Sequence, residues 1–172
     1  MIKWLHIFVY MLICVVVQTF FIHNIQLFGI VTPFFYLYAI LKIPFDTKRS
    51  RVILCSFLLG LVIDCFSNTF GMHAAACAFI GFVRDPLLER FVDFKELPDR
   101  SVPCYRLLGF AKFFYYTFIL VTIHHIILFS IDAFGFFQPF RLMVRIFSSM
   151  LLTSLLIFIV EAFNLRKIRY GE

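Results

Sequence analysis

Read for apolar and polar positions alone, the chain divides into six apolar runs with short polar breaks between them. They are Trp4 to Phe21, Ile25 to Ile43, Val52 to Phe66, Phe70 to Val83, Leu107 to Ile131 and Phe140 to Phe163. A helix needs about 20 apolar residues to cross a bilayer, within a usable range of roughly 17 to 25. Four runs meet that length directly. The third and fourth reach only about 22 Å at helical rise. They span if flanking Lys48, Arg49, Arg51 and Arg84 snorkel or the bilayer thins. The pattern predicts an all-α membrane protein with six transmembrane helices in one domain, at about residues 4–21, 25–43, 49–67, 69–84, 107–131 and 140–163. Polar breaks at His23-Asn24, Ser67-Asn68-Thr69 and Asp132 to Pro139 would join the spans into three hairpins.

Composition strengthens this reading. Hydrophobic residues make up 62% of the 172 and charged ones 15%, against about 25% charged in an average soluble domain. So little polar material could not cover a water-soluble fold of this size. The 26 phenylalanines suit lipid contact and interhelical packing and specify no chemistry. The first run lacks an A-x-A cleavage pattern, so a retained span is expected. Five scattered cysteines, with no C-x-x-C pair, are expected as free thiols.

Charge fixes an expected orientation. A net charge of +6 could suggest nucleic acid, but the basic residues sit in short clusters beside apolar runs, without an aromatic platform. Orientation in a membrane explains them better, and no nucleic-acid partner is expected. Of the 16 Lys and Arg residues, only Arg141 and Arg145 fall on the opposite side from the rest, which places both termini in the cytoplasm. Arg51 and Arg84 share a side whether the third and fourth runs cross or re-enter, so charge leaves both forms open; full spans are the expectation. Residues 85–106 form the only sizeable polar loop, on the cytoplasmic side. Asp85 as N-cap and Pro86 at the first helical position would start a short interfacial helix ending before Pro98; a solvated connector is the alternative.

The stretch "GLVIDCFSNTFGMHAAA" (60–76) places an acid and an imidazole about a polar turn within apolar surroundings. Both are costly in hydrocarbon. Reflection about Asn68-Thr69 pairs Asp64 with His73. Steps of four give Ser56, Gly60 and Asp64 on one helix, and His73, Cys77 and Gly81 on the other. Small faces of this kind let membrane helices approach closely. Asp64 and His73 would then hydrogen-bond as a clip across the top of the hairpin. Ser67, Asn68 and Thr69 would cap helix ends, and Gly71 would ease the turn.

A second reading adds other ionisable groups at similar depth: His124, His125, Arg141 and Arg145. Arg141 and Arg145 could pair with Asp132 or Asp64. This polar layer would line an outward-facing cavity or receive a polar residue from a partner's helix. Glu161 is expected to meet Arg166 or Lys167. His124 and His125 are adjacent, so on a helix their rings point about 100° apart and make a poor metal pair. No H-E-x-x-H, G-x-S-x-G or phosphate-cradling glycine loop occurs, and no nucleophile, base and orienting group converge. No catalysis, metal or cofactor is expected.

"LLGLVIDCFSNTFGMHAAACAFIGFVR", preceded by "TPFFYLYAILKIP", resembles the MreD family of bacterial rod shape-determining membrane proteins. The resemblance rests on Pro33 followed by Tyr36 and Tyr38, then Leu59, Gly60, Asp64 and Ser67, then Gly71, His73 and Ala74, and finally Arg84. Length, six spans and cytoplasmic ends also agree. It implies a multi-pass protein of the bacterial cytoplasmic (inner) membrane within the cell-elongation complex. Its implied partners are MreC, a single-span protein, with MreB filaments, the glycosyltransferase RodA and its partner transpeptidase. It also implies a bundle resembling the vitamin-binding S components of energy-coupling transporters. The implied role is a non-enzymatic scaffold for peptidoglycan synthesis and cell shape. The alternative is an S-component-like solute-binding subunit, although the first span lacks the A-x-x-x-A docking face. A membrane enzyme using His124, His125 or Asp64 is the third hypothesis.

Overall fold

The computed structural model describes residues 2–22, 31–93, 97, 101–133 and 138–169, and side chains there except at 2–7, 21–22 and 164–169. The regular elements are helices: α1 (Ile2–Val16), continued by a π-helical stretch (Val17–Ile22), α2 (Leu37–Leu41), α3 (Arg49–Ser67), α4 (Met72–Glu89), α5 (Tyr105–Leu108), α6 (Phe110–Asp132) and α7 (Pro139–Arg169). Three segments, α3, α6 and Pro139–Phe163 of α7, are long and apolar enough to cross a bilayer; Phe8–Phe20 is shorter and also apolar. Outward-facing residues such as Phe57, Leu61, Phe147 and Leu155 are exposed, while His124, His125, Thr153 and Arg84 are buried. Apolar outside and polar inside is the arrangement a bilayer selects. The described residues are mainly helical, and three helices of spanning length and composition suggest a membrane protein.

Two sets of contacts define the ends of the bundle. Gln18, Thr32, Ser67, Met72, Asp132 and Arg145 converge at one end. At the other, Glu161 meets Lys42 and Tyr105, and Lys112 Nζ donates to the Phe91 carbonyl at 3.0 Å. Chain direction therefore alternates through α1, residues 31–43, α3, α4, α6 and α7. We call these the Asn68 end and the Arg84 end.

The second apolar run departs from expectation. Among its described residues, 31–43, only Leu37–Leu41 is α-helical. This broken segment is nonetheless central: Tyr36, Leu37, Tyr38, Ile40 and Leu41 are at most 1% exposed. Pro33 offers no N–H and disfavours the helical region for the residue before it, and α2 begins only after a turn in which the Leu37 and Tyr38 N–H groups reach back to the Phe34 and Phe35 carbonyls.

The loop reading is also corrected. Asp85 and Pro86 do not begin a new helix. They lie inside α4, which runs on to Glu89. An internal proline leaves the carbonyl four residues back without its helical donor. Here Arg49 Nη2 donates to that Phe82 carbonyl at 3.2 Å, with its guanidinium 4.3 Å from the Phe82 ring centroid. The helix survives because a neighbour supplies the missing donor. The fifth run begins with the short α5 before α6 starts at Phe110. The turn at His23-Asn24, loop residues 94–96 and 98–100, and residues 134–137 lie outside the described residues.

Candidate functional site

Closest helix approach occurs where the sequence concentrates small residues. A Cβ added at Gly60 would lie 2.5 Å from the His73 carbonyl oxygen and 2.6 Å from Ala74 Cα. One at Gly81 would lie 2.7 Å from Ser56 Oγ. The opposed faces of Ser56, Gly60 and Asp64 against His73, Cys77 and Gly81 therefore do interlock. Asn68 ends α3 in the left-handed conformation at φ 55°. Gly71 precedes α4 at φ 76°, a conformation that costs glycine little.

Asp64 and His73 meet, but not as an acid–imidazole clip. Asp64 Oδ1 accepts the His73 backbone N–H at 3.0 Å, and Oδ2 accepts that of Ala74 at 2.8 Å. The Thr69 hydroxyl donates to Oδ1 as well. The first N–H groups of a helix have no partner within it, and its N-terminus favours negative charge. Asp64 thus caps α4 from the neighbouring helix, and the carboxylate takes the backbone donors nearest it. Ser67 contributes no cap.

The His73 ring turns to the broken segment. Its Nδ1 lies 2.7 Å from the Tyr36 hydroxyl, which lies 2.8 Å from His124 Nε2. Tyrosine has one proton, so one imidazole must donate to it. His124 Nδ1 has no partner among the described residues. A buried unpaired acceptor costs less than a buried unpaired N–H, which puts the His124 proton on Nε2. Tyr36 then donates to His73.

His125 belongs to a second chain of bonds. Its Nδ1 lies 2.8 Å from the Val121 carbonyl, which only accepts, so that nitrogen carries the proton. In the neutral ring Nε2 accepts from the Thr153 hydroxyl at 3.2 Å. The Thr153 oxygen in turn accepts the Phe34 backbone N–H at 3.1 Å. Both histidines bond across helices, His124 through Nε2 alone, and they serve different neighbours.

These bonds are part of a wider clamp on the broken segment. Gln18 Nε2 donates to the Pro33 carbonyl at 3.1 Å, and Gln18 Oε1 accepts the Phe35 N–H at 2.7 Å. Ser149 Oγ accepts the Thr32 N–H at 3.0 Å. Beyond α2, Tyr116 donates to the Leu41 carbonyl at 3.1 Å, and Arg84, which also binds Asp85, donates to that of Ile43. Non-helical backbone is tolerated at membrane depth only where protein or water satisfies its polar groups. Gln18, Ser149, Thr153 and Tyr116 do so here. Sequence reading gave them no role, although a lone glutamine in "VVVQTFF" and hydroxyls four apart on α7 were the available signals.

A cavity of about 130 Å³ opens at the Asn68 end. Gln18, Thr32, Ser67, Thr69 and His73 supply polar lining, with Asp132 and Arg145 at the rim; Phe34, Ile63, Met72, Leu128 and Phe129 supply the apolar walls. Arg145 pairs with Asp132, each side chain about one-third exposed, and its guanidinium lies 4.4 Å from the Phe129 ring centroid. Of the expected polar layer, Arg145 and His73 reach the cavity. His124 and His125 do not line it: the Phe34 ring packs against both. Arg141 is exposed.

At the Arg84 end, buried Glu161 accepts from Tyr38 at 2.6 Å, from Lys42 at 2.8 Å and from the Tyr105 backbone N–H at 3.1 Å. The side chains of Arg166 and Lys167, its expected partners, lie outside the described residues. Lys42 comes from the broken segment, and spacing gives no hint of that pairing. All five cysteines are free. The chain matches no family model, no curated protein and no solved structure with which it was compared.

Proposed function

We propose that the chain is a non-enzymatic scaffold with six membrane spans and cytoplasmic termini, acting in bacterial cell elongation. It would bind an MreC-like single-span protein and support localised peptidoglycan synthesis beside MreB, RodA and its partner transpeptidase. One observation carries this reading: the residues of the resembling motif are spent on rigidity. Gly60 seats α3 on the α4 backbone, the Asp64 carboxylate is taken up by three donors, and buried Arg84 binds Asp85 and the Ile43 carbonyl. A constellation built for chemistry would leave a nucleophile or base facing substrate. A rigid bundle presenting one unchanging lateral surface is what a partner's span requires.

The test pairs depletion in the native cell with co-purification. Cells lacking the protein should round up, and Gly60→Leu should lose both the MreC-like partner and rod shape. Rod-shaped growth after depletion overturns the reading. A solute-binding subunit is the second reading, favoured by the cavity at the Asn68 end, which in the proposed orientation faces outward. Its test is uptake of a labelled solute that depends on this chain.

A further inference from the structure

We propose that the cavity at the Asn68 end binds a small zwitterionic solute of α-amino acid size, with Arg145 taking its carboxylate and Asp132 its ammonium group. The inference rests on the solute-binding reading for the cavity alone and needs neither transport nor the scaffold role.

Size sets the first limit. About 130 Å³ is close to the engineered cavity of about 150 Å³ that admits benzene. That leaves room for about six or seven non-hydrogen atoms, the size of alanine or serine. Position sets the second. The lining comes from the π-helical stretch after α1, the broken segment, α3, α4, α6 and α7 together, so the cavity lies among the helices and not on one of them. Its rim carries Asp132 and Arg145, each about one-third exposed at the Asn68 end, where a solute can reach it.

Charge sets the third. Asp132 and Arg145 sum to zero, so a ligand that is neutral overall keeps the site balanced, whereas a mono-charged one leaves a net charge beside the apolar walls. Arg145 Nη1 bonds Asp132 Oδ2. Asp132 Oδ1 and Arg145 Nη2 and Nε have no hydrogen-bond partner among the described residues, and both side chains are partly exposed. A pair with one spare acceptor and two spare donors side by side matches a ligand carrying an ammonium next to a carboxylate. The Thr32 and Ser67 hydroxyls line the same space, and Phe34, Ile63 and Met72 meet a short apolar side chain.

The test uses the purified full chain in nanodiscs, titrated with L-alanine and L-serine. Propionate and ethylamine, each keeping one of alanine's two charged groups, serve as controls. Alanine or serine should bind saturably and raise Tm progressively with concentration, because a ligand of the folded state stabilises it. Propionate and ethylamine should bind at least about tenfold more weakly. Arg145→Gln should weaken alanine binding by at least about tenfold. So should Ser67→Leu, which fills the cavity and leaves the ion pair intact.

No saturable binding of alanine or serine up to about 10 mM overturns the proposal. Equal binding of alanine, propionate and ethylamine does too, as does unchanged alanine affinity in both variants. Recovery of an MreC-like partner in any of those cases leaves the scaffold reading standing.

Discussion

The α3–α4 hairpin and the broken segment at residues 31–43 solve the same problem by opposite means. Each must hold polar backbone inside a membrane bundle. In the hairpin the help is local: Asp64 reaches N–H groups nine and ten positions away, and Gly60 lets the two backbones touch. In the broken segment it is remote: Gln18 acts across 17 positions, and Ser149 and Thr153 across more than a hundred. The hairpin can therefore form before the rest of the bundle. The broken segment is stable only once α1 and α7 have closed around it.

The largest effect should come from breaking the local solution. Gly60→Leu puts a side chain where even a Cβ meets the α4 backbone at 2.5 Å. Backbone cannot turn aside as a flexible side chain can, so the helices must separate. We expect a loss of more than about 4 kcal/mol, beyond ordinary overpacking. Reversible unfolding in detergent or lipid should show it, with Gly60→Ala intermediate. Wild-type stability in Gly60→Leu would mean that α3 and α4 do not touch there.

The remote solution should fail next. Gln18→Leu removes the partners of the Pro33 carbonyl and the Phe35 N–H in buried surroundings, a loss of about 3 kcal/mol at 1–3 kcal/mol per orphaned group. Asp64→Ala also strips buried donors, but these lie beside a cavity that opens to water, so about 2 kcal/mol is expected. Hydrogen exchange sharpens the contrast. Gln18→Leu should raise exchange at 34–38 while leaving 73–75 protected, and Asp64→Ala should do the reverse. Identical exchange patterns would mean that the two regions open as one unit.

How much of this was legible follows from the same division. Small residues every four positions, an acid and a glycine about Asn68 are local signals, and the facing helices, close contact and turn were all readable from them. The partner of Asp64 was not. An imidazole nine residues away looks complementary on paper, whereas the unpaired backbone donors of a new helix appear only once its start at Met72 is known. The apolar run from Ile25 to Ile43 reads as a span because composition does not reveal backbone conformation. Pro33 marked the interruption, but an interruption is tolerable only if distant side chains satisfy it, and no window of sequence contains Gln18, Ser149 and Thr153 together. Asp132–Arg145 was readable because it bridges one short connection, and Lys42–Glu161 was not, because it joins opposite ends of the chain.

The smallest expected effect tests whether remote help can stand in for a helix's own bond. Pro86 leaves the Phe82 carbonyl without an α4 donor, and Arg49 fills the place from α3. Pro86→Ala restores the helical N–H, which by itself would be worth up to about 3 kcal/mol in a helix interior. That carbonyl is already occupied, however, and the chain already continues as a helix to Glu89. The net gain should therefore stay under about 1 kcal/mol. Arg49→Ala should cost about 1 kcal/mol in the wild type. In the Pro86→Ala background it should cost less, because only the contact with the Phe82 ring is then lost. A double-mutant cycle in the same lipid should return a coupling of about 0.5 kcal/mol. Strict additivity would mean that the guanidinium does not replace the missing bond and that α4 tolerates its proline for another reason.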